Sequence, residues 1–342
     1  MNFLCSIGTF RNISDDAALN SDIQNRLDEV TLEMSTMRLE EKQKYSVAVI
    51  TRTKSREFLL KRVAEKLLAQ SFRDFVWVVV NDGGSEQDVD AVVDFYRSRR
   101  MPAIVLHNGI SVGMEAAANL GIQASHSKYI LIHDDDDTLE REFLEKTTQF
   151  LESTEARSVT VNITEIHETV TNKSTNISWV RPWDTGMPSL ARMVCINRFV
   201  PISFLYERTL HDEVGYYDES LKVCGDWEFY LRLLRISDIE KIPEYLANYH
   251  IRDSSDDEFA INSVKKEFDH QRHDMLVRNR LLRAELSDGK ASIASLVTVG
   301  AQLWDAERKL WGIEQKGREA FELKDRILGR LRKNWFLKRV FR

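Results

Sequence analysis

The chain has 342 residues, of which 43% are hydrophobic, enough for one large domain with appendages around a sizeable core. A formal charge of −6 speaks against a surface that binds nucleic acid at large. No run approaches the ~20 apolar residues that span a bilayer.

Cys5, Cys195 and Cys224 lie far apart, without metal-knuckle or redox spacing, so no disulfide framework is expected. The first residues lack a basic segment followed by an apolar core. A soluble, cytoplasmic protein is the expectation. Five prolines and fourteen glycines are too few for long low-complexity linkers.

In chain order, Ile23, Leu27, Val30, Met34 and Met37 recur at spacings of four and three. They predict a helix in an extension over residues 1–44, packed on the main body or against a second copy. Regular structure starts at Tyr45. Val47–Ile50 is an apolar strand, Ser55 a candidate N-cap, and Leu59, Val63 and Leu67 line one face of the helix that follows. Phe75–Val80 is apolar on both faces, as in a covered parallel sheet. It ends in Asn81-Asp82-Gly83-Gly84-Ser85, where two glycines permit a tight turn beside Asp82. Asp82 then either faces a ligand or serves the turn itself. Ser85 and Asp88 form a pair of capping-box type, and Val89, Val92, Val93 and Tyr96 mark the helix. Ala103–Leu106 is a third strand, and an Ala-rich helix through Ala124 leads to a fourth, Tyr129–Ile132. Strands alternating with helices predict a doubly wound α/β sheet. Neither G-x-G-x-x-G nor G-x-x-x-x-G-K-[ST] occurs, which excludes the usual dinucleotide and P-loop signatures.

The fourth strand stops at four consecutive carboxylates, Asp134 to Asp137. Adjacent anions are costly to bury, and hard cations such as Mg²⁺ or Mn²⁺ prefer carboxylate oxygens. The run stands just beyond a strand end, where open α/β sheets bind ligands. A solvated acidic loop is the alternative. Farther on, 158–168 and 176–181 alternate as two strands joined at 171–174, a β-rich insertion. Asp226 opens a helix striped by Trp227, Tyr230, Leu231 and Leu234. It is either an N-cap, worth about 1 kcal/mol, or a carboxylate placed to take a proton. From about 265 the chain turns to long, charged helices, and residues 324–342 carry eight Lys/Arg against one acid, interleaved with apolar and aromatic residues. Such a segment suits the interface of an anionic membrane or an acidic neighbouring surface.

Taken in order, these segments resemble the family 2 glycosyltransferases of GT-A fold, from about Tyr45 to Val264. The resemblance lies in Val47-Ala48-Val49-Ile50-Thr51-Arg52-Thr53-Lys54, in Leu67 through Phe72, and in Val80 through Ser85. It continues in His107-Asn108 through Gly113 with Ala118 to Ile122, in His133 to Asp137, and in Gly225-Asp226-Trp227-Glu228. It implies a GT-A α/β fold, Rossmann-like and mostly parallel with helices on both faces, plus helical extensions at both ends. The implied nucleotide-binding half is 45–137 and the acceptor half 138–264, followed by a helical region over 265–342.

Position by position, the resemblance implies that Thr51, Arg52, Thr53, Asn81, Asp82, Gly113, Asn119, Asp134 and Asp135 contact the nucleotide sugar. It makes Asp136 and His250 ligands of Mn²⁺ or Mg²⁺, Asp226 the general base, and Trp227 and Glu228 acceptor or orienting residues. The sequence departs from the family pattern at His133, in place of an apolar residue, and at Gly225, in place of the Glu before the base. The implied activity is metal-dependent, inverting transfer from a UDP-sugar to a glycan or lipid-linked acceptor in bacterial surface-polysaccharide (O-antigen type) synthesis. The basic tail would touch the inner face of the cytoplasmic membrane, and a homo-oligomer is allowed. The rivals are a nucleotidyltransferase of related topology, and a degenerate transferase kept as a partner-binding subunit.

Overall fold

The structure, a computed structural model, describes residues 45–171, 174–255, 267–288 and 293–340. The helical stripe from Ile23 lies outside the described residues. The first half alternates β1 (Tyr45–Thr53), α1 (Glu57–Leu68), β2 (Phe75–Asp82), α2 (Glu86–Arg97), β3 (Ala103–Asn108), α3 (Met114–Gln123) and β4 (Ser127–Asp134). These four strands are all parallel, in the order β3-β2-β1-β4. β2 is buried throughout, as its unbroken apolar run requires.

Helices cover both faces. On one, Trp77 of β2 meets Tyr96 of α2 edge-on, with ring centroids 4.8 Å apart, and gives its indole N–H to Thr51. On the other, Gly121 lets α3 close on β1 and β2. A Cβ there would collide with Ile50 Cγ2 and stand 3.2 Å from Val80 Cγ2.

The second half reverses direction. After β5 (Thr138–Leu139) and α4 (Phe143–Ser153) come β6 (Ser158–Thr171), β7 (Ser174–Trp183), α5 (Leu190–Met193), β8 (Phe204–Glu207), α6 (Leu210–Val214), α7 (Gly225–Leu233) and β9 (Glu240–Ser255). β8 joins β4 antiparallel, β6 joins β8 antiparallel and β9 parallel, and β5 closes the edge against β9. The expected hairpin forms as β6 with β7, paired from Ile163↔Trp183 to Thr171↔Ser174. The sheet is therefore parallel across β1–β4 and mixed beyond them.

Two helices follow, α8 (Glu267–Asp288) and α9 (Ile293–Val340). They start inside the fold, because Val277, Ile293 and Val297 are buried in the main core. Arg278 bonds the Val194 and Cys195 carbonyls and stacks on Trp227. α9 has 48 residues, about 72 Å at the α-helical rise. Its backbone runs through the basic tail, whose side chains from Ile327 onward lie outside the described residues.

Candidate active site

Parallel register sets the site. Arg52 lies beside Asp134, Thr53 beside Asn81 and Asp82 beside Asn108, so the carboxyl ends of β1, β2, β3 and β4 form one rim. Beyond β2 the chain turns through Gly83, whose φ is 89°. Asn81 braces this turn: its amide donates to Gly84 O, and its Oδ1 accepts from Gly84 N. Asp82 then gathers the 108–113 loop. It accepts from Asn108 Nδ2 at 3.0 Å, Ser111 Oγ at 2.6 Å, Val112 N at 2.8 Å and Gly113 N at 3.1 Å. Burial works against this carboxylate, but the four donors hold it below its ordinary pKa. Gly113, with φ 103°, starts α3.

The four carboxylates after β4 are met by arginines. Asp134 accepts from Arg52, with Nε at 3.1 Å, and Asp135 from Arg56 at 3.0 Å. Asp136 is gripped by Arg56 at 3.1 Å and by Arg252, whose side chain is fully buried. Asp137 accepts the backbone N–H of His250 at 2.9 Å.

Their acidities diverge. Burial pushes Asp135 up to about 6 against the pull of Arg56. Burial and the neighbouring Asp136 and Asp134 raise Asp137 further. Asp136 is also desolvated, yet Arg252 and Arg56 bring it down to about 2. Carboxylate oxygens of Asp134, Asp136 and Asp137 all lie within 4.8 Å of one another, and Asp135 Oδ2 is buried without a hydrogen-bond partner among the described residues. An all-oxygen donor set of this kind suits a hard divalent cation.

Across the rim stands the start of α7. Cys224 adopts a left-handed conformation, φ 66°, which costs about 1 kcal/mol for a residue with a Cβ, and the Asp226 carboxyl two residues on feels the charges of Arg52 and Asp134. Asp226 accepts from Asn197 Nδ2 at 2.8 Å. Burial raises its pKa, and the Trp227 N–H, Asn197 and Arg52 counter only in part. Arg52 links the two sides. It pairs with Asp134, stands 3.5 Å from the Glu115 carboxylate and reaches the Met114 carbonyl at 3.3 Å.

Several residues singled out in the sequence make contacts within the fold. Thr51 is fully buried on the far face of β1, its hydroxyl taken by Trp77. Thr53 is buried next to Asp135. Asn119 ties α3 to the 217–219 loop through Tyr217 O and N and Glu219. Trp227 gives its indole N–H to Met193 O at 2.7 Å, within the core. Glu228 is paired with Arg232 at 2.8 Å. His250, expected as a metal ligand, has Nδ1 at 3.1 Å from Glu168 and Nε2 at 3.0 Å from Thr138. Both ring nitrogens are thus engaged, and its backbone N–H bonds Asp137, which is grouped with Asp134 and Asp136.

Sequence reading missed Arg56, Arg62, Glu168, Asn197 and Arg252. Arg62 pairs with Glu168 at 2.9 Å and bonds the Asp136 carbonyl. Each lies far in sequence from its partner, so only a surplus of arginine in the first loop and after His250 hinted at them.

Known proteins bear on this geometry. Residues 46–215 match the model of "Glycosyl transferase family 2". An uncharacterized glycosyltransferase of Bacillus subtilis, YwdF, is 25% identical over 220 residues, 64% of this chain and 80% of that protein. A PGL/p-HBAD biosynthesis glycosyltransferase of Mycobacterium tuberculosis is 23% identical over 169 residues, 49% of this chain and 61% of that protein. Among solved structures, Staphylococcus aureus TarS 1–349 in complex with UDP-GlcNAc superposes with a TM-score of 0.54 at 18% identity, covering 69% of this chain and 66% of that one. The mannosyltransferase PcManGT of Pyrobaculum calidifontis, in complex with GDP-Man and Mn²⁺, gives 0.55 at 14% identity, covering 76% and 70%. These two likenesses concern the fold. With the rim of carboxylates, the turn at Asp82 and the matched segment 46–215, the chain belongs to family 2 of the glycosyltransferases.

Proposed function

We propose that the protein transfers a sugar from a UDP-sugar to a hydroxyl of a glycan or lipid-linked acceptor, with inversion and with help from Mn²⁺ or Mg²⁺. One observation carries this reading: Arg52, which pairs with Asp134 of the carboxylate rim, also acts on the buried Asp226 carboxyl at the start of α7. Asp134, Asp136 and Asp137 would hold the cation, which when bound neutralises charge developing on the departing diphosphate. Arg52 and Arg56 would move from the aspartates to the donor phosphates, Asp82 would keep the 108–113 loop shaped around the nucleotide, and Asp226 would take the acceptor proton. A raised pKa suits that last task, since a stronger base accepts a proton more readily.

The ligands bound in the two structural neighbours, UDP-GlcNAc and GDP-Man with Mn²⁺, support a nucleotide-sugar donor. Among the described residues no helix is long and apolar enough to cross a membrane. The basic composition of 324–342 supports contact with an anionic membrane face and a role in surface-polysaccharide assembly. Val299, Leu303, Leu310 and Ile313, exposed along α9 at spacings of four, seven and three, support pairing with a second copy. The test of the central reading is calorimetric titration of UDP with and without Mn²⁺, repeated on Asp136→Asn. Binding that needs both cation and Asp136 is the expected result. Equal UDP binding in all conditions, or none in any, overturns it.

A further inference from the structure

Gly225 leaves a hole in the family pattern, and the structure fills it from another element. A Cβ placed at Gly225 would fall into the carboxyl group of Glu115, with Glu115 Cγ 2.7 Å away. Glu115 belongs to the first turn of α3, 110 residues earlier in the chain, and its side chain is 4% exposed. Among the described residues its Oε2 accepts no hydrogen bond, and Arg52 at 3.5 Å is the one cation paired with it.

A carboxylate in a first helical turn complements the helix dipole equally well from the surface. Burying it with an unsatisfied oxygen is destabilising, of the sort of cost that persists at functional sites. Burial pushes the Glu115 carboxyl up to about 8, with Arg52 opposing and Asp226 and Asp134 adding to the rise. A glycine stands where a Glu is expected, and a Glu from α3 occupies the vacated volume.

We propose that Glu115 is a positioning residue of the transfer site, supplying from α3 the carboxyl group that position 225 lacks and holding Arg52 and Asp226 in register across the cleft. This rests on the transferase reading of the site. It implies that positions 115 and 225 are alternatives: one carboxyl is needed, and two do not fit.

The experiment is a cycle of four proteins: the wild type, Glu115→Ala, Gly225→Glu and the double variant. Melting temperature, UDP affinity with Mn²⁺, and kcat and KM for UDP release from UDP-N-acetylglucosamine and UDP-glucose are read on each. Glu115→Ala is expected to lower kcat about 100-fold with UDP affinity changed less than about fivefold. Gly225→Glu is expected to lower both kcat and melting temperature, by overfilling the site. The double variant is expected to recover melting temperature and to return kcat to within about tenfold of wild type. Glu115→Gln, which keeps the volume, serves if Glu115→Ala does not fold, and is expected to lose kcat with little change in melting temperature.

Additive melting temperatures around the cycle overturn the exchange of positions, whatever the turnover. Recovered melting temperature without recovered kcat overturns the positioning role. A wild type that neither binds UDP nor releases it from donors refutes the transferase reading, and the melting cycle alone then decides whether 115 and 225 share one carboxyl position.

Discussion

Replacing Arg252 by Met should show how far the acidic cluster depends on internal cations. Arg252 is fully buried, bonds Asp136 and stands 3.9 Å from Glu168. Met keeps the apolar stem and removes the charge. Breaking a buried ion pair from one side costs about 3–5 kcal/mol, because the partner stays desolvated. Arg56 still reaches Asp136 and Arg62 still pairs with Glu168, so the low end, about 3 kcal/mol, is expected. Urea denaturation at pH 7 in EDTA measures it.

The pH dependence follows as well. Asp136 is held below its unfolded pKa, so its contribution to stability is present above about pH 4 and lost as pH falls toward 2. With Arg252 gone the carboxyl relaxes upward, and this acid limb should shrink. A variant as stable as wild type in EDTA, with an unchanged acid limb, refutes the view that Arg252 neutralises the cluster.

Asp226→Asn should lower turnover by about 10²–10⁴-fold while leaving UDP affinity unchanged, measured as UDP release beside calorimetry. In the wild type the rate should rise with pH through a limb above the ordinary carboxylate range, because burial raises the Asp226 pKa and only its ionised form accepts a proton; a limb below pH 4 contradicts that assignment. Gly121→Ala should lose about 1–2 kcal/mol by thermal melting: the collision with Ile50 and Val80 costs about 1–3 kcal/mol and outweighs a helix-propensity gain of under about 1 kcal/mol. No loss there means that α3 can back away from the sheet.

The strands of the first half were legible because a strand covered on both faces must be apolar at every position, as Phe75–Val80 is. The β6–β7 hairpin was legible from alternation, with Thr171 and Ser174 paired at its end. Ser55 was misread as a helix cap. It sits at φ 54° before Arg56, which holds the cap position without a side-chain bond, and its backbone packs where Gly84 turns. Local pattern could not reveal that the loop serves the neighbouring turn before the helix. Trp227 carried two signals, a motif position and an apolar stripe, and its burial in the core is what the stripe predicts. The ion pairs escaped because they join positions such as Arg52 and Asp134 or Arg252 and Asp136, which no short window contains.

Charge balance at the rim leads to one more expectation. Arg52, Arg56 and Arg252 already offset Asp134, Asp135 and Asp136, and Asp137 is driven toward its neutral form. The rim is near balance before any donor arrives. A diphosphate adds negative charge and competes for Arg52 and Arg56, and each arginine it draws away leaves an aspartate uncompensated in a desolvated place. Donor binding therefore demands new positive charge at the aspartates it strips, and a divalent cation there demands that the arginines find another anion. The two ligands should favour each other, and by linkage the effect must be reciprocal. UDP should raise Mn²⁺ affinity by the factor by which Mn²⁺ raises UDP affinity, roughly 5–150-fold for a typical coupling. Calorimetric titrations in both orders measure the two factors. Independent binding of UDP and Mn²⁺ would mean that the arginines stay on the aspartates, and that the diphosphate is held elsewhere in the cleft.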